Sequence, residues 1–258
     1  MIIAQITDFH VAGDGVSYGG VNTTEALAAA VDHLNALPAR PDLVLATGDL
    51  AAAGAPADYA AIRAILSRLA MPVYLIPGNH DDRDNLRAAF PDHAYLPADG
   101  EFLHYTVDTG DLRLVGLDTL VPGSDGGALC AERLAWLAAR LAEAGTRPTL
   151  IFMHHPPFVA GIPNFDAIRC AGAEGLGAIL AQNPQVQAVV CGHVHRPIHH
   201  PWQGTVVITA PSTAYQYALE MRTDQPFRTV PEPPGAMIYL WSRETGLVSH
   251  LSFIGIST

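Results

Sequence analysis

Five short polar runs, widely separated along the chain, carry the side chains that could do chemistry. They are Asp8-Phe9-His10, Gly48-Asp49, Gly78-Asn79-His80-Asp81, His154-His155-Pro156-Pro157 and Gly192-His193-Val194-His195. Together they offer carboxylate, imidazole and amide groups, a mixture that suits iron, manganese, zinc or cobalt better than calcium or magnesium. A carboxylate shared by two such ions is the arrangement that two-metal hydrolysis of phosphate esters needs. The sequence therefore predicts a two-metal centre that cleaves phosphoesters.

Each run follows an apolar stretch that is typical of a β-strand. These stretches begin near Met1, Pro41, Met71, Thr149 and Val186. Apolar residues at helical spacing separate the first three strands, over residues 22–37 and 58–69. Strands that alternate with helices predict parallel β-α-β units. Active sites lie beyond the carboxyl ends of such strands, so we expect the five runs to meet there.

The rest of the chain adds further elements to this pattern. It predicts strands at 102–107, 112–117, 149–153 and 186–191, and helices at 131–143 and 174–182. After residue 195 it predicts antiparallel strands at 206–209, 236–241 and 247–253, with an irregular, proline-rich segment between the first two. We therefore expect one α/β domain over residues 1–258, a two-sheet β-sandwich flanked by helices. Residues 215–235 are expected to form a lid or a subunit contact.

Composition limits the possible partners. The 258 residues are 49% hydrophobic, enough for a sizeable core, and carry a net charge of −11, which disfavours binding to a nucleic-acid backbone. The three cysteines are too few and too irregular for a disulfide framework or a structural zinc site. With no recognisable signal peptide and no membrane-spanning apolar run, we expect a cytoplasmic protein with a small-molecule substrate. Homo-oligomer formation is left open.

The ordered set Asp-x-His, Gly-Asp, Gly-Asn-His-Asp, His-His-Pro-Pro and Gly-His-x-His resembles that of the calcineurin-like metallophosphoesterases. Within them it is most similar to the bacterial class III cyclic nucleotide phosphodiesterases and the related glycerophosphodiesterases. The resemblance extends from Met1 to about Ser212. It implies a four-layer αββα fold, two divalent or mixed-valence metal ions per chain, and hydrolysis of small phosphodiesters by a metal-activated hydroxide.

The resemblance also implies a role for each matching residue. One ion would be held by Asp8, His10, Asp49 and His195, and the other by Asp49, Asn79, His154 and His193. The ions would lie ~3.5–4 Å apart, with Asp49 as the bridge. His80 would contact the substrate phosphate and protonate the leaving alcohol, a task that suits histidine near neutral pH. The alternative is that His80 only orients Asp8 or Asn79.

Two further residues are expected close to the substrate. Adjacent side chains on a strand end diverge, so His155 is expected to line the pocket or to support the ligands while His154 binds metal. Tyr215 stands where some similar glycerophosphodiesterases have a histidine, and is expected to hydrogen-bond a phosphate or an alcohol. Asp81 is expected to act as a support or cap, and the pair His199-His200 is not expected to bind metal.

Three alternatives to the phosphodiesterase stay open at this point. A phosphomonoesterase or nucleotide hydrolase, and a nuclease of the repair-exonuclease type, share the ligand set. A non-catalytic interaction scaffold shares the fold. The chain shows no cluster of lysine or arginine to neutralise the second charge of a monoester or the backbone of long DNA. We therefore expect small diesters to be preferred.

Overall fold

The computed structural model of the chain describes residues 1–13 and 20–255. Its strands are Ile2–Ile6 (β1), Leu43–Thr47 (β2), Val73–Ile76 (β3), Tyr105–Thr109 (β4), Leu112–Leu117 (β5), Thr149–Met153 (β6), Val186–Cys191 (β7), Ile198–Trp202 (β8), Thr205–Thr209 (β9), Gln216–Tyr217 (β10), Thr229–Val230 (β11), Gly235–Ser242 (β12) and Gly246–Phe253 (β13). Its helices are Thr23–Ala36 (α1), Pro56–Leu66 (α2), Arg83–Ala89 (α3), Ala131–Ala144 (α4), Pro163–Ala167 (α5) and Ala173–Ala181 (α6). Within these residues, no helix is both long and apolar enough to cross a membrane.

Two large sheets form the frame of the molecule. The first has the strand order β13-β12-β1-β2-β3, in which β1, β2 and β3 are parallel and β12 runs antiparallel to β1. The second has the order β4-β5-β6-β7-β9-β8, in which β5, β6, β7 and β9 are parallel. Strands β10 and β11 form a separate two-stranded hairpin.

The direction of the strand predicted at 206–209 needs a correction. It was expected to be antiparallel, but β9 runs parallel to β7 and antiparallel only to β8. The reason is β8 itself, which the sequence analysis did not identify. This strand takes the chain back along the sheet edge before Gln203 and Gly204, both at positive φ, reverse it again. The two reversals return β9 to the direction of β7.

Side chains that alternate along the strands build the layers. On β6, Leu150 and Phe152 belong to the core between the sheets, together with Ile3 and Leu45 of the first sheet. Ile151, the residue between them, belongs to a second core on the opposite face, which includes Leu137 of α4 and Leu176 of α6. Residues of α1 and α2 join the first core. The predicted two-sheet sandwich flanked by helices is therefore confirmed.

The buried side chain of Gln5 joins the two sheets just below the ends of the strands. Gln5 on β1 donates from Nε2 to Thr47 Oγ1 at 2.8 Å and to the carbonyl oxygen of Cys191 at 2.9 Å. Its Oε1 accepts from the hydroxyl of Tyr239 at 2.6 Å. Thr47 and Cys191 are the last residues of β2 and β7. Gln5 therefore holds three strand ends in a common register, with its buried polar atoms satisfied.

Candidate metal centre

All five polar runs come together at one end of the two sheets. The loop after each strand supplies the predicted ligands: Asp8 and His10 after β1, Asp49 after β2, Asn79 after β3, His154 after β6, and His193 and His195 after β7. Parallel strands place their carboxyl ends on the same side, which explains the convergence. The side chains of Asp8, His10, Asp49, His154, His193 and His195 are all buried.

The backbone is unusual where these ligands stand. Six non-glycine residues of the described chain have a positive φ, and five of them are predicted ligands: Asp8 at 54°, His10 at 46°, Asp49 at 50°, His193 at 72° and His195 at 53°. The left-handed region is unfavourable for residues with a Cβ and recurs at functional sites. Here it turns the chain sharply after each strand, so that Asp8 and His10, two residues apart, both face the centre.

One group of ligand atoms surrounds the end of β1. The Nε2 atoms of His10 and His195 lie 3.2 Å apart. Asp8 Oδ1 lies 3.4 Å from His195 Nε2, and Asp49 Oδ2 lies 3.8 Å from His10 Nε2. These distances of 3.2–3.8 Å between atoms of different side chains are those expected for ligands around a single ion.

A second group lies beside the first and shares a carboxylate with it. His154 Nε2 is 3.3 Å from Asp49 Oδ2 and 3.2 Å from Asn79 Oδ1. The same oxygen of Asp49 therefore lies between His10 of the first group and His154 of the second. The other oxygen, Oδ1, accepts from the backbone N–H of His80 at 2.9 Å. This hydrogen bond fixes the carboxylate with Oδ2 towards both groups, which is the orientation a bridge requires.

The tautomers of two histidines follow from their partners. His154 Nδ1 lies 2.8 Å from the carbonyl oxygen of Thr47, and His195 Nδ1 lies 2.8 Å from that of Tyr215. A carbonyl oxygen only accepts, so each Nδ1 carries a proton and donates. In the neutral ring the lone pair is then on Nε2, which faces the centre. Such a hydrogen bond behind the ring is what orients metal-binding histidines.

The electrostatics of the centre also fit bound cations. Burial raises the pKa of Asp8 and Asp49, but His195 and His154 beside them more than compensate, so both pKa values fall below the usual range. Burial likewise opposes a charge on His154, yet Asp49 raises its pKa to about 9. Two ionised, buried carboxylates therefore draw positive charge into this space, and either a proton or a metal ion can supply it.

The ring of His193 tests whether the residues of this centre are suited to a metal ion. Its Nε2 is buried and has no hydrogen-bond partner within the described residues. Burial holds its pKa well below the usual value, so the ring is neutral. A buried polar nitrogen left in this way is unfavourable unless it binds something. Such a ring nitrogen, in a group with His154 and near Asp8 and Asp49, has the chemistry of a metal donor, which fits the predicted role of His193.

His80 lies at the edge of the centre and is half-buried. Its Nδ1 donates to the carbonyl oxygen of Ala52 at 3.0 Å, which leaves Nε2 as the nitrogen that can act on a substrate. Its ring packs edge-on against that of His10, with centroids 4.7 Å apart. Its catalytic role, like that of Asp49, stays a prediction.

Asp81, from the same run as His80, supports two of the loops that carry the predicted ligands. Its carboxylate accepts from the backbone N–H groups of Leu50, Ala51 and Gly78 and from the hydroxyl of Tyr59, at 2.8–3.1 Å. It ties the loop after β2 to the loop after β3. These hydrogen bonds fit the expected role of Asp81 as a support or cap, and its not binding metal stays a prediction.

The structure places His155 and Tyr215 behind the ligands. His155 is fully buried, with Nδ1 2.8 Å from Thr119 Oγ1 and Nε2 3.2 Å from the carbonyl oxygen of Asp125. Tyr215 is 3% exposed, and its ring packs against those of His10 and His195. Support of the ligands fits both positions, and substrate contact by either residue stays a prediction. In the His199-His200 pair, the side chain of His199 forms a hydrogen bond with Ser249 Oγ on β13.

Two cavities open beside the centre. The smaller, about 220 Å³, has predicted ligands on one side and an apolar side made of Phe165, Ile168, Tyr217 and Phe227, with Asp125. The larger, about 530 Å³, is lined by polar residues that include Asp82, Arg83, Asp84 and Glu101. Asn79 and His80 line both. Nothing in the sequence marks the apolar side, because its aromatic residues stand in a five-residue helix, a two-residue strand and a loop, none of which carries a motif.

Comparison with known proteins gives consistent matches. The family described as calcineurin-like phosphoesterase matches residues 1–197. A protein of Arcobacter nitrofigilis, described as a probable glycerophosphodiester phosphodiesterase, is 36% identical over 257 residues, which cover 99% of this chain and 94% of that protein. The 3′,5′-cyclic adenosine monophosphate phosphodiesterase of Escherichia coli is 33% identical over 216 residues, 83% of this chain and 77% of that protein. A dimetal phosphatase from Danio rerio has the same fold, with a TM-score of 0.67 at 16% identity over 98% of this chain and 99% of that one.

Proposed function

Because the chain belongs to the calcineurin-like phosphoesterase family, we propose that it is a metal-dependent phosphodiesterase that acts on small diesters. Relatives described as phosphodiesterases for glycerophosphodiesters and for cyclic adenosine monophosphate support this activity. The observation that carries it is the position of Asp49. Its Oδ2 lies 3.8 Å from His10 Nε2 and 3.3 Å from His154 Nε2, between two groups of ligand atoms.

Two groups of residues would hold the two metal ions. The first is Asp8, His10, Asp49 and His195, and the second is Asp49, Asn79, His154 and His193. When bound, two divalent ions neutralise charge on phosphoryl oxygens and lower the pKa of water. A donor set rich in imidazole favours iron, manganese, zinc or cobalt. Asp49 keeps both groups together because the backbone of His80 fixes its second oxygen.

His80 is placed to move a proton. Its Nδ1 is committed to the carbonyl oxygen of Ala52, so the protonated ring presents Nε2–H to a leaving alkoxide oxygen. It lines both cavities, which supports its assignment as the group that protonates the departing alcohol. The backbone N–H of the same residue orients Asp49, so one residue links proton transfer to the geometry of the centre.

The surroundings favour a singly charged diester over a doubly charged monoester. Among the described residues that line either cavity, Arg83 is the one lysine or arginine, and its guanidinium is already paired with Asp118 at 2.6 and 3.0 Å. The other charged groups in the larger cavity are carboxylates, including those of Asp82 and Glu101. A second negative charge on the substrate would meet repulsion here, and so would the backbone of long nucleic acid.

The test compares a diester and a monoester with the same leaving group. After reconstitution with manganese, zinc, cobalt or iron, kcat/KM is measured for methyl 4-nitrophenyl phosphate and for 4-nitrophenyl phosphate at one pH. We expect the diester to be preferred at least tenfold. A tenfold preference for the monoester would place the chain among the phosphatases. Cyclic nucleotides and glycerophosphodiesters, assayed in parallel, then identify the diester class.

A further inference from the structure

Three aromatic rings form a wall directly beside the predicted ligands. The ring centroids of Phe165 and Phe227 are 4.9 Å apart, those of Tyr217 and Phe227 are 5.2 Å apart, and those of Phe165 and Tyr217 are 5.5 Å apart. Tyr217 lies 4.8 Å from the ring of His195, and Phe165 lies 5.5 Å from that of His193. The aromatic wall therefore begins where the metal-binding side chains end, and both line the 220 Å³ cavity.

Hydrogen bonds from three parts of the chain hold this wall in place. Tyr217 pairs with Thr229 in the β10–β11 hairpin, which closes the loop of residues 218–228. The carbonyl oxygen of Tyr217 accepts from Arg196 at 2.7 Å, which ties the hairpin to the loop after β7. Asn164 on α5 donates to the carbonyl oxygen of Gln225 at 3.0 Å, so the loop is also joined to the helix that carries Phe165. These bonds hold the backbone that carries the three rings.

Phe227 is nonetheless 46% exposed, although it is large and apolar. A single exposed apolar side chain is ordinary. Phe227, however, joins Phe165 and Tyr217 in the lining of one cavity, and ligand cavities are lined mainly by apolar and aromatic side chains. The lining of the same cavity includes Asp125, which disfavours a negatively charged group at this place. The two features together select a substituent that is apolar or planar and carries no negative charge.

We propose that Phe165, Tyr217 and Phe227 form a subsite for the ester group that stays on phosphorus after cleavage, and that it prefers an aryl or nucleobase-like group to a small alkyl group. The inference rests on the proposed diesterase activity. His80 lines both cavities, so their linings decide between them, and the polar 530 Å³ cavity suits the departing alcohol. That leaves the smaller, aromatic cavity for the retained group, where ring contacts and apolar burial favour a planar substituent.

The test keeps the leaving group constant and changes only the retained group. Methyl 4-nitrophenyl phosphate and phenyl 4-nitrophenyl phosphate are compared by kcat/KM in the metal-reconstituted protein. We expect the phenyl diester to be preferred about 3–30-fold, the range given by partial burial and ring contact of one aromatic group. Phe227→Ala should lower this preference at least threefold, and Phe227→Tyr, which keeps the ring, should retain it. Leu219→Ala removes another exposed apolar side chain, 56% exposed and outside the cavity lining, and should leave the preference unchanged.

An equilibrium measurement separates this proposal from the proposed function. Phenylphosphonate and methylphosphonate cannot be hydrolysed, so their dissociation constants, measured by calorimetry on the metal-loaded protein, report binding alone. Tighter binding of phenylphosphonate in the wild type, reduced in Phe227→Ala, would support the subsite even if no diester were turned over. Equal binding of both phosphonates, or a phenyl-to-methyl ratio that Phe227→Ala does not change, would overturn it while diester hydrolysis could still stand.

Discussion

Replacing His80 with alanine should separate proton transfer from metal binding. The hydrogen bond to Asp49 Oδ1 comes from the backbone N–H of residue 80, and alanine keeps it. The substitution removes only the bond from Nδ1 to the carbonyl oxygen of Ala52 and the edge-on contact with His10. One such bond stabilises a protein by about 0.5–1.5 kcal/mol, so we expect Tm to fall by only a few degrees. Metal content should be unchanged.

The effect on the rate should be much larger and should depend on the leaving group. Loss of a general acid lowers turnover by roughly 10²–10⁴-fold, which is about 2.7–5.5 kcal/mol in the barrier. That loss applies to alkyl diesters, whose alkoxide needs a proton in order to depart. A 4-nitrophenolate leaves without one, so for aryl diesters the loss in His80→Ala should shrink to less than about tenfold.

The assay measures kcat for an alkyl and an aryl diester, with metal content determined on the same preparations. His199→Ala is a matched control, because it removes a histidine from an exposed position where its side chain bonds to Ser249 Oγ at 2.9 Å. Equal losses for alkyl and aryl diesters would refute the proton-transfer role and favour charge stabilisation on the phosphate. Loss of a metal ion would instead make His80 a ligand, a role that its place in a group with His10 and Asp49 makes chemically reasonable.

Four further outcomes test the centre. Asp49→Ala should lose both metal ions and hydrolysis, whereas two retained ions at wild-type activity, seen by metal analysis, would contradict the bridge. Chelation should lower Tm by roughly 8–16 °C for each ion that is present at about a thousand times its dissociation constant, and adding metal back should restore it. Gly192→Ala should destabilise the fold by about 1–3 kcal/mol or more in denaturant titrations, because its Cβ would lie 2.1 Å from Thr7 Oγ1. Tyr215→Phe should alter the diester-to-monoester ratio without changing metal content, and unchanged kinetics would assign Tyr215 to packing alone.

The elements closest to the centre were those best predicted from sequence. Strands β5, β6 and β7 have the predicted bounds, and α1 begins after Asn22, whose side chain accepts from the N–H of Glu25 at 3.2 Å. These strands are buried on both faces, so their apolar runs are continuous and stand out from the polar loops that follow. The same contrast located the polar runs at the strand ends, and family membership and phosphodiesterase activity followed from their order.

The elements that were not predicted from the sequence have local patterns that are weak or that point away from regular structure. Strand β8 contains His199, His200 and Pro201, residues that give no apolar run because the strand lies at a sheet edge. Helix α5 has five residues, too few to show a helical period. The aromatic wall depends on contacts between α5 and the β10–β11 hairpin, which are distant in sequence. Only the packed structure brings Phe165 and Phe227 together.

The five predicted ligands in left-handed backbone conformations set the thermal stability of this protein against its activity. Each such residue costs roughly 1–2 kcal/mol, so the five together cost on the order of 5–10 kcal/mol, comparable with the net stability of a whole domain. Glycine adopts the same conformation without this cost. Ligand-to-glycine variants should therefore fold more robustly than a metal-depleted wild type, although they are inactive. Random mutagenesis selected for heat resistance alone would tend to erase this site first, and directed evolution of the enzyme needs selection for turnover at every round.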